Sequence, residues 1–483
     1  MRMFGCVHIY IYIGDGLRIA LQWLGQGAVK PCWSHYNVLR KNCGRAAAGY
    51  VEITCHNPTL FEKWGDAAFY DAIDLMLDAR AKWVAGERGW KTRLDGMVKA
   101  FGFMPTPSGL LADVELRSHV PVQRVARYDW VHTLLADGVV THAAWSFIRS
   151  CEAHGVATQG DLYAFLRQQW IFPAFTRGSG RALWRIVDAY GAPVNEKHDT
   201  LKCNASELLG LYGLLRHFAE TVVHNDSVED ERRAFLTACR SLDVILLAKR
   251  GRMSVAHAAG KLRESHSEYM ALDLRIYGTQ NAKPKTHWTF DIADQLEEDA
   301  ATPARRPADV PVAGGAPAPD AKEEDEFIFD AFIIERLHLR VKNVACNVKK
   351  KETYERSVLS GVLNAHVHSL QDVTLQSCLL SRTRPLPGFP GAVVSDRLDV
   401  LGLKVSVDDL VIRGEQLGIV AACAKDIDDF YVIVNLLAME AAVSPHSNMW
   451  RLAAVGRAVW LATDVFLPLA WKMEGLDKIL VIA

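Results

Sequence analysis

Residues 298–326, EDAATPARRPADVPVAGGAPAPDAKEEDE, interrupt the chain with proline, alanine and acidic residues and hardly any large apolar side chain. Such a stretch buries too little surface to offset the entropy of ordering it. It is expected to be a disordered linker that contributes nothing to a core itself. The chain has 483 residues, of which 50% are apolar and 23% charged, which is enough for several domains with cores of their own. The net charge of −1 excludes a global basic field, so a nucleic-acid surface would have to be a local patch. The ten cysteines show no repeated spacing, which argues for a reducing, intracellular compartment rather than a disulfide scaffold. The opening MRMFGCVHIYIYIG lacks a small-residue cleavage site and reads as β-branched and aromatic strand. Ala458–Trp471 is short and contains Asp464, so it reads as core and not as a membrane span.

Along the chain, residues 1–58 read as a strand ending at Gly14-Asp15-Gly16, followed by a loop with Cys32, His35 and Cys43. Residues 59–282 carry a helical period, as in WVHTLLADGVVTHAAWSFIRSC and ASELLGLYGLLRHFAETVVH. Residues 283–297 form a basic connector into the 298–326 linker, and 327–382 read as helical again. From 383 to 483, short alternating runs with acidic turns predict a small β-rich module. The fold class expected is α/β, dominated by helix. No P-loop, Rossmann or nucleophile-elbow pattern occurs.

Several chemistry-bearing groups follow one another in a definite order. Asp15 ends a strand and precedes Lys30-Pro31-Cys32-Trp-Ser-His35, and Asp129-Trp-Val-His132 opens the helical block. Lys283-Pro-Lys285-Thr-His287-Trp288 closes that block, and Glu335-Arg336-Leu-His338 with Lys342 follows the linker. Glu335, His338 and Lys342 share a helix face by their spacing. This order resembles the later part of an RNase H-like DDE transposase of the CACTA-like group.

The resemblance implies a partial RNase H-like core with a large all-α insertion. It makes Asp15 and Glu335 the carboxylates that hold Mg²⁺ for DNA strand cleavage and transfer, chemistry that needs hard oxygen ligands around two metals. Asp129, His132 and His338 would then brace the site, and Lys283, Lys285, Arg336 and Lys342 would contact DNA phosphates. Cys32 and His35 stand where the group carries Cys-x-x-Cys and are competent zinc ligands; Cys43, Cys55 and His56 are candidates to complete them. Nothing in the fourteen residues before Asp15 matches the group's first catalytic Asp. The expectation is therefore a degenerate, inactive transposase-derived protein, nuclear if functional, open to homo-oligomerisation and without a membrane.

Two other functions fit the same residues. A non-catalytic DNA-binding module would use Arg336, Lys342 and Lys349-Lys350-Lys351. A helical interaction scaffold would use the Trp-rich block and ignore nucleic acid. The pairs Cys203 with His217 and Cys151 with His154 lack an oxyanion-hole or base-orienting motif and read as buried thiols. His366 and His368, at i, i+2, do not share a helix face and are not expected to bind metal together.

Overall fold

The computed structural model describes residues 11–12, 32–40, 49–105, 107, 110–117, 121–166, 170–171, 201, 203, 205–249, 251–301, 378–386, 391–400, 403–426, 429–444, 447–468, 470–474 and 476–482. The fold is mixed α/β and divides into two units, Met1–Phe147 with Ser227–Asp330 and Ile148–Asp226 with Ala331–Ala483. The helical block read from the sequence as one insertion is thus shared between them.

The first unit is mainly helical. Two strand pairs belong to it, β1 (Ile11–Tyr12) parallel to β4 (Ala126–Arg127), and β2 (Val38–Leu39) parallel to β3 (Val51–Glu52). Helices α1 (Asp66–Val84) and α2 (Trp90–Phe101) form a hairpin whose turn passes through Gly86 and Gly89. Both glycines have positive φ, at 85° and 84°, a conformation that favours residues without a Cβ. The short α3 (Trp130–Leu134) is followed by α4 (Val139–Ala153), whose last residues pass into the second unit.

Among the described residues, the longer helices that follow in this unit are α7 (Glu229–Lys249), α8 (Val255–Tyr277) and α9 (Pro284–Ala301), and those of the second unit are α5 (Gln159–Leu166) and α6 (Ala205–Thr221). Helix α8 packs between α7 and α9. Leu242, Ile245, Leu262, Phe290 and Ala293 are buried there, as the 3.6-residue period requires of inward-facing positions. Ser254 caps α8 by accepting from His257 N, and Ser241 Oγ meets Ser265 Oγ at 3.0 Å between α7 and α8. Residues 283–297, read as a connector, lie mostly within α9, which begins with Pro284 at its first position and runs through Ala301 into the expected linker.

In the second unit the described strands run from 378 to 482. They are β5 (Cys378–Leu379), β6 (Arg384–Pro385), β7 (Val393–Ser395), β8 (Arg397–Val400), β9 (Leu403–Ser406), β10 (Leu410–Arg413), β11 (Gln416–Lys425), β12 (Phe430–Ser444), β13 (Ser447–Leu461), β14 (Ala470–Met473) and β15 (Lys478–Ile482). An antiparallel sheet runs β14-β15-β13-β12-β11-β7-β6, with β10 also paired to β11, and β5-β8-β9 form a second sheet. Leu398, Val400 and Val405 of the smaller sheet bury against Val420, Val432 and Trp460 of the larger one. Sheet thus packs on sheet around alternate inward side chains.

Candidate metal centre

Cys32 and His35 sit in a turn held by backbone and side-chain bonds that the local sequence supplies. Asn37 is buried and fully used: its Nδ2 donates to Gly49 O at 3.0 Å and Leu60 O at 2.8 Å, and its Oδ1 accepts from Glu62 N at 2.9 Å. Tyr36 N donates to Glu62 O and Trp64 N to Ser34 O, both at 2.9 Å, so the turn is tied to residues 62–64 on either side of His35. His35 N points at Cys32 Sγ across 3.2 Å, a contact that favours a thiolate. Trp33 stacks on Tyr128, with centroids 5.3 Å apart, and Tyr128 Oη donates toward Cys32 Sγ at 3.7 Å.

Helix α9 presents the other half. His287 and Asp291 are i, i+4 and share a face, with Asp294 nearly one further turn along. That face meets the Cys32–His35 turn, although 252 positions separate His35 from His287. Cys32, His35, His287 and Asp291 are all at most 1% exposed, and one ligand atom from each lies within 4.8 Å of the others.

The pairwise distances test whether a metal fits. Cys32 Sγ is 3.7 Å from His35 Nδ1 and 3.3 Å from either carboxylate oxygen of Asp291. His35 Nδ1 is 3.1 Å from His287 Nε2 and 2.9 Å from Asp291 Oδ1, and His287 Nε2 is 3.8 Å from Asp291 Oδ2. A tetrahedral ion with ordinary Zn–N and Zn–S bonds separates its ligands by about 3.3–3.6 Å. Hydrogen bonds satisfy the same set poorly. His35 Nδ1 faces a thiol, an imidazole nitrogen and a carboxylate at once, and a single N–H cannot serve all three.

The electrostatics follow from burial and from Asp291. Burial pushes the Cys32 thiol up, and the neighbouring Asp291 charge pushes it further. Burial alone would depress His35, but the Asp291 charge and hydrogen bonds to Asp291 and Asp294 override it and hold the imidazolium well above its usual range. Burial takes His287 down to about 4, against the opposing charge of Asp291. His287 Nδ1 has no hydrogen-bond partner among the described residues.

Around the four lies a second layer. Asp294 Oδ2 accepts from His35 Nε2 at 3.1 Å, and Asp294 is itself held by Arg263 at 2.6 Å and Lys63 at 3.2 Å. Burial would raise the Asp294 carboxyl, but hydrogen bonds from His35 and Arg263 hold it well below the carboxylate range. Phe61 closes the edge of both imidazoles, 5.3 Å from His35 and 4.7 Å from His287.

The structure places the other expected site residues as follows. Asp129 caps α3, accepting from Val131 N and His132 N at 3.1 Å each, and it also pairs with His132 Nδ1. This is the ordinary work of an aspartate before a helix. Lys285 Nζ donates to Ala136 O at 2.5 Å, and Lys283 Nζ lies 3.1 Å from His142 Nε2. Burial lowers the Lys285 ammonium, with the Asp137 charge opposing and that of Lys283 adding to the effect. Both lysines expected at DNA thus have partners within the protein. Asp15, Glu335, His338, Arg336 and Lys342, with Lys349–Lys351 and Cys43, lie outside the described residues.

Of the zinc candidates, Cys55 bonds to Asn57 O at 3.6 Å and His56 is exposed; neither belongs to the cluster. The residues that complete the cluster are His287, in the Lys-Pro-Lys-x-His motif, and Asp291, which the sequence reading does not single out. Their only sequence signal is the i, i+4 spacing. The histidines of the two cysteine–histidine pairs are engaged elsewhere: His217 Nδ1 meets Ser447 Oγ at 3.1 Å and His154 Nδ1 meets Ser150 O at 2.9 Å, while Cys203 Sγ lies 3.9 Å from Leu201 O and burial pushes its thiol to about 12. Among the described residues, no helix is long and apolar enough to cross a membrane. The chain matches no protein-family model, no curated protein and no solved structure.

Proposed function

We propose that the chain is a transposase-derived, DNA-associated protein whose helical unit is stapled by one structural Zn²⁺ on Cys32, His35, His287 and Asp291. The observation that carries this is the convergence of a soft sulfur, two imidazole nitrogens and a carboxylate on one buried point, at separations near those of a tetrahedral ion. Sulfur and imidazole ligation suits zinc and is unsuited to Mg²⁺. Four protein ligands in a fully buried site leave no open position for a substrate or water, which is the arrangement of a structural centre.

The transposase ancestry draws on the same site. Cys32-x-x-His35 and Lys283-Pro-Lys-x-His287, two motifs that motivated the resemblance, meet there, and Tyr128 beside Asp129 touches Cys32 and Trp288. The expected Mg²⁺ carboxylates, Asp15 and Glu335, play no part in the zinc assignment. Elemental analysis of the purified chain should find one zinc per polypeptide, and His287→Ala should lose it. A wild-type chain that purifies without zinc and does not take it up on reconstitution would refute the assignment.

A further inference from the structure

The turn of the α1–α2 hairpin carries residues 80–93, RAKWVAGERGWKTR, with five cations and a single acid in a chain whose net charge is −1. Two tryptophans alternate with those cations. Trp83 is 41% exposed, beside Val84 at 75%, at the end of α1. Lys91 Nζ lies 5.9 Å from the Trp83 ring centroid. Trp90 is clasped between Lys82 Nζ at 4.5 Å and Arg93 Cζ at 4.6 Å. Arg88, Lys91 and Arg93 are all exposed.

The platform is also rigid. Gly86 N donates to Trp83 O and Glu87 N to Lys82 O, both at 3.0 Å, closing the C-terminus of α1. Gly86 and Gly89 supply the left-handed backbone of the turn. Of the nearby acids, Asp78 is paired with Lys82 at 2.7 Å, which leaves Glu87 within the turn and Asp95 a turn into α2. A half-exposed tryptophan at a helix end contributes little to the core. An aromatic face set among exposed cations matches a partner that offers flat rings and anionic groups at short, regular intervals.

We propose that the tip of this hairpin binds single-stranded nucleic acid, with a base stacked on Trp83 and backbone phosphates held by Arg88, Lys91 and Arg93. Base stacking is tolerant of sequence because every base has a π face, and the cations track the backbone. A duplex keeps its bases stacked inside and offers Trp83 nothing to cover, so the single strand is favoured. The surface shares no residue with the metal centre and goes beyond its assignment.

The test is fluorescence anisotropy of a labelled mixed-sequence 20-nucleotide DNA strand, and of the corresponding duplex, against the full chain across a salt series. Trp83→Ala should weaken single-strand binding about 5- to 150-fold, the range of one lost stacking contact, without lowering the melting temperature. Lys91→Gln with Arg93→Gln should reduce the slope of log affinity against log salt by about 1.4, from two lost phosphate contacts on a single strand.

The proposal is overturned if the wild-type chain shows no salt-dependent single-strand binding, or if the duplex binds as tightly as the strand. It is equally overturned if both folded variants bind like the wild type, including the case of an apolar protein partner covering Trp83 instead. Zinc content, measured on the same samples, reports separately on the metal centre.

Discussion

The protonation state of the metal-free cluster sets how steeply zinc affinity depends on pH. Zinc takes thiolate and neutral imidazole, so each proton on a ligand must leave when the ion binds. Without metal, Cys32 is a thiol, held above its usual range by burial and then by Asp291. His35 is an imidazolium, because Asp291 and the hydrogen bonds to Asp291 and Asp294 outweigh the burial that would neutralise it. His287, which burial brings to about 4, is already neutral above that pH and gives up no proton. Two protons are therefore displaced per ion in the window between the His287 value and the ordinary histidine range.

The sign and size follow. Raising the pH removes a competitor, so affinity rises with pH, by about a hundredfold per unit for two protons, or about 2.7 kcal/mol. Between pH 5 and 6.5 the apparent dissociation constant should tighten by about three orders of magnitude. Competition against a chelator of known pH dependence measures this directly. Calorimetry in buffers of different ionisation enthalpy measures it independently, as a proton release near two. A proton release near zero would refute the reasoning, since the four groups would then be a neutral hydrogen-bonded knot that binds metal by other means or not at all. Cys32→Ser should also lower the affinity steeply, because a hydroxyl is not the soft anionic ligand that the thiolate is.

Asp294→Asn keeps the shape of the side chain but removes the charge that orients His35 through Nε2, and should weaken zinc affinity about 10- to 100-fold in the same competition assay. Asp129→Ala removes the cap of α3 and should cost about 1 kcal/mol in denaturant unfolding, with no change in zinc content. Gly138→Ala should destabilise by more, because an added Cβ falls onto the backbone carbonyl of Thr133, which cannot move without unwinding α3; thermal unfolding of the holo protein reads this out. In the second unit, Gly418→Val should disrupt the pairing of β11 with β12, since a Cβ there already approaches Val434 Cβ to 2.9 Å; loss of β-sheet signal in circular dichroism checks it.

Legibility in the sequence followed the range of the forces involved. The helices around Leu242 and Leu262 and the short strands between 383 and 483 were readable because their patterns are local, and they gave the α/β class; the helix around Phe290 was read as a connector. Half of the metal cluster was readable too, since Cys32 and His35 are adjacent in sequence and their turn is a local structure. The other half was not. His287 and Asp291 are ordinary residues on a helix until tertiary packing brings that helix to the turn, and no local property of α9 marks them as ligands. The lysines show the reverse error. Lys283 and Lys285 looked like a solvent-facing basic pair, but α9 begins there, and packing turns Lys285 onto the carbonyl of Ala136.

The zinc assignment also explains why polar groups are concentrated where a helical unit would normally be apolar. A buried imidazolium between two carboxylates is costly to desolvate, and removing one partner of such a set leaves an uncompensated charge. With zinc in place, a thiolate and a carboxylate neutralise the dication, and the two imidazoles ligate it without charge. Asp294 then balances Arg263 and Lys63 at the rim. The proposed ion would join the 32–40 turn to α9, which meet through Cys32 and His35 against His287, Asp291 and Asp294, while residues 61–63 beside the turn reach α9 through Phe61 on Phe290 and Lys63 on Glu298. Chelation should therefore loosen the turn before it melts α7 and α8, whose interface, with its buried leucines, the Ser241–Ser265 contact and the Glu268 ion pairs, includes none of the four cluster residues. Hydrogen exchange with and without chelator would show protection lost first at Tyr36 and Trp64, whose amides fix the turn; simultaneous loss across α7 and α8 would show that the metal organises the whole unit.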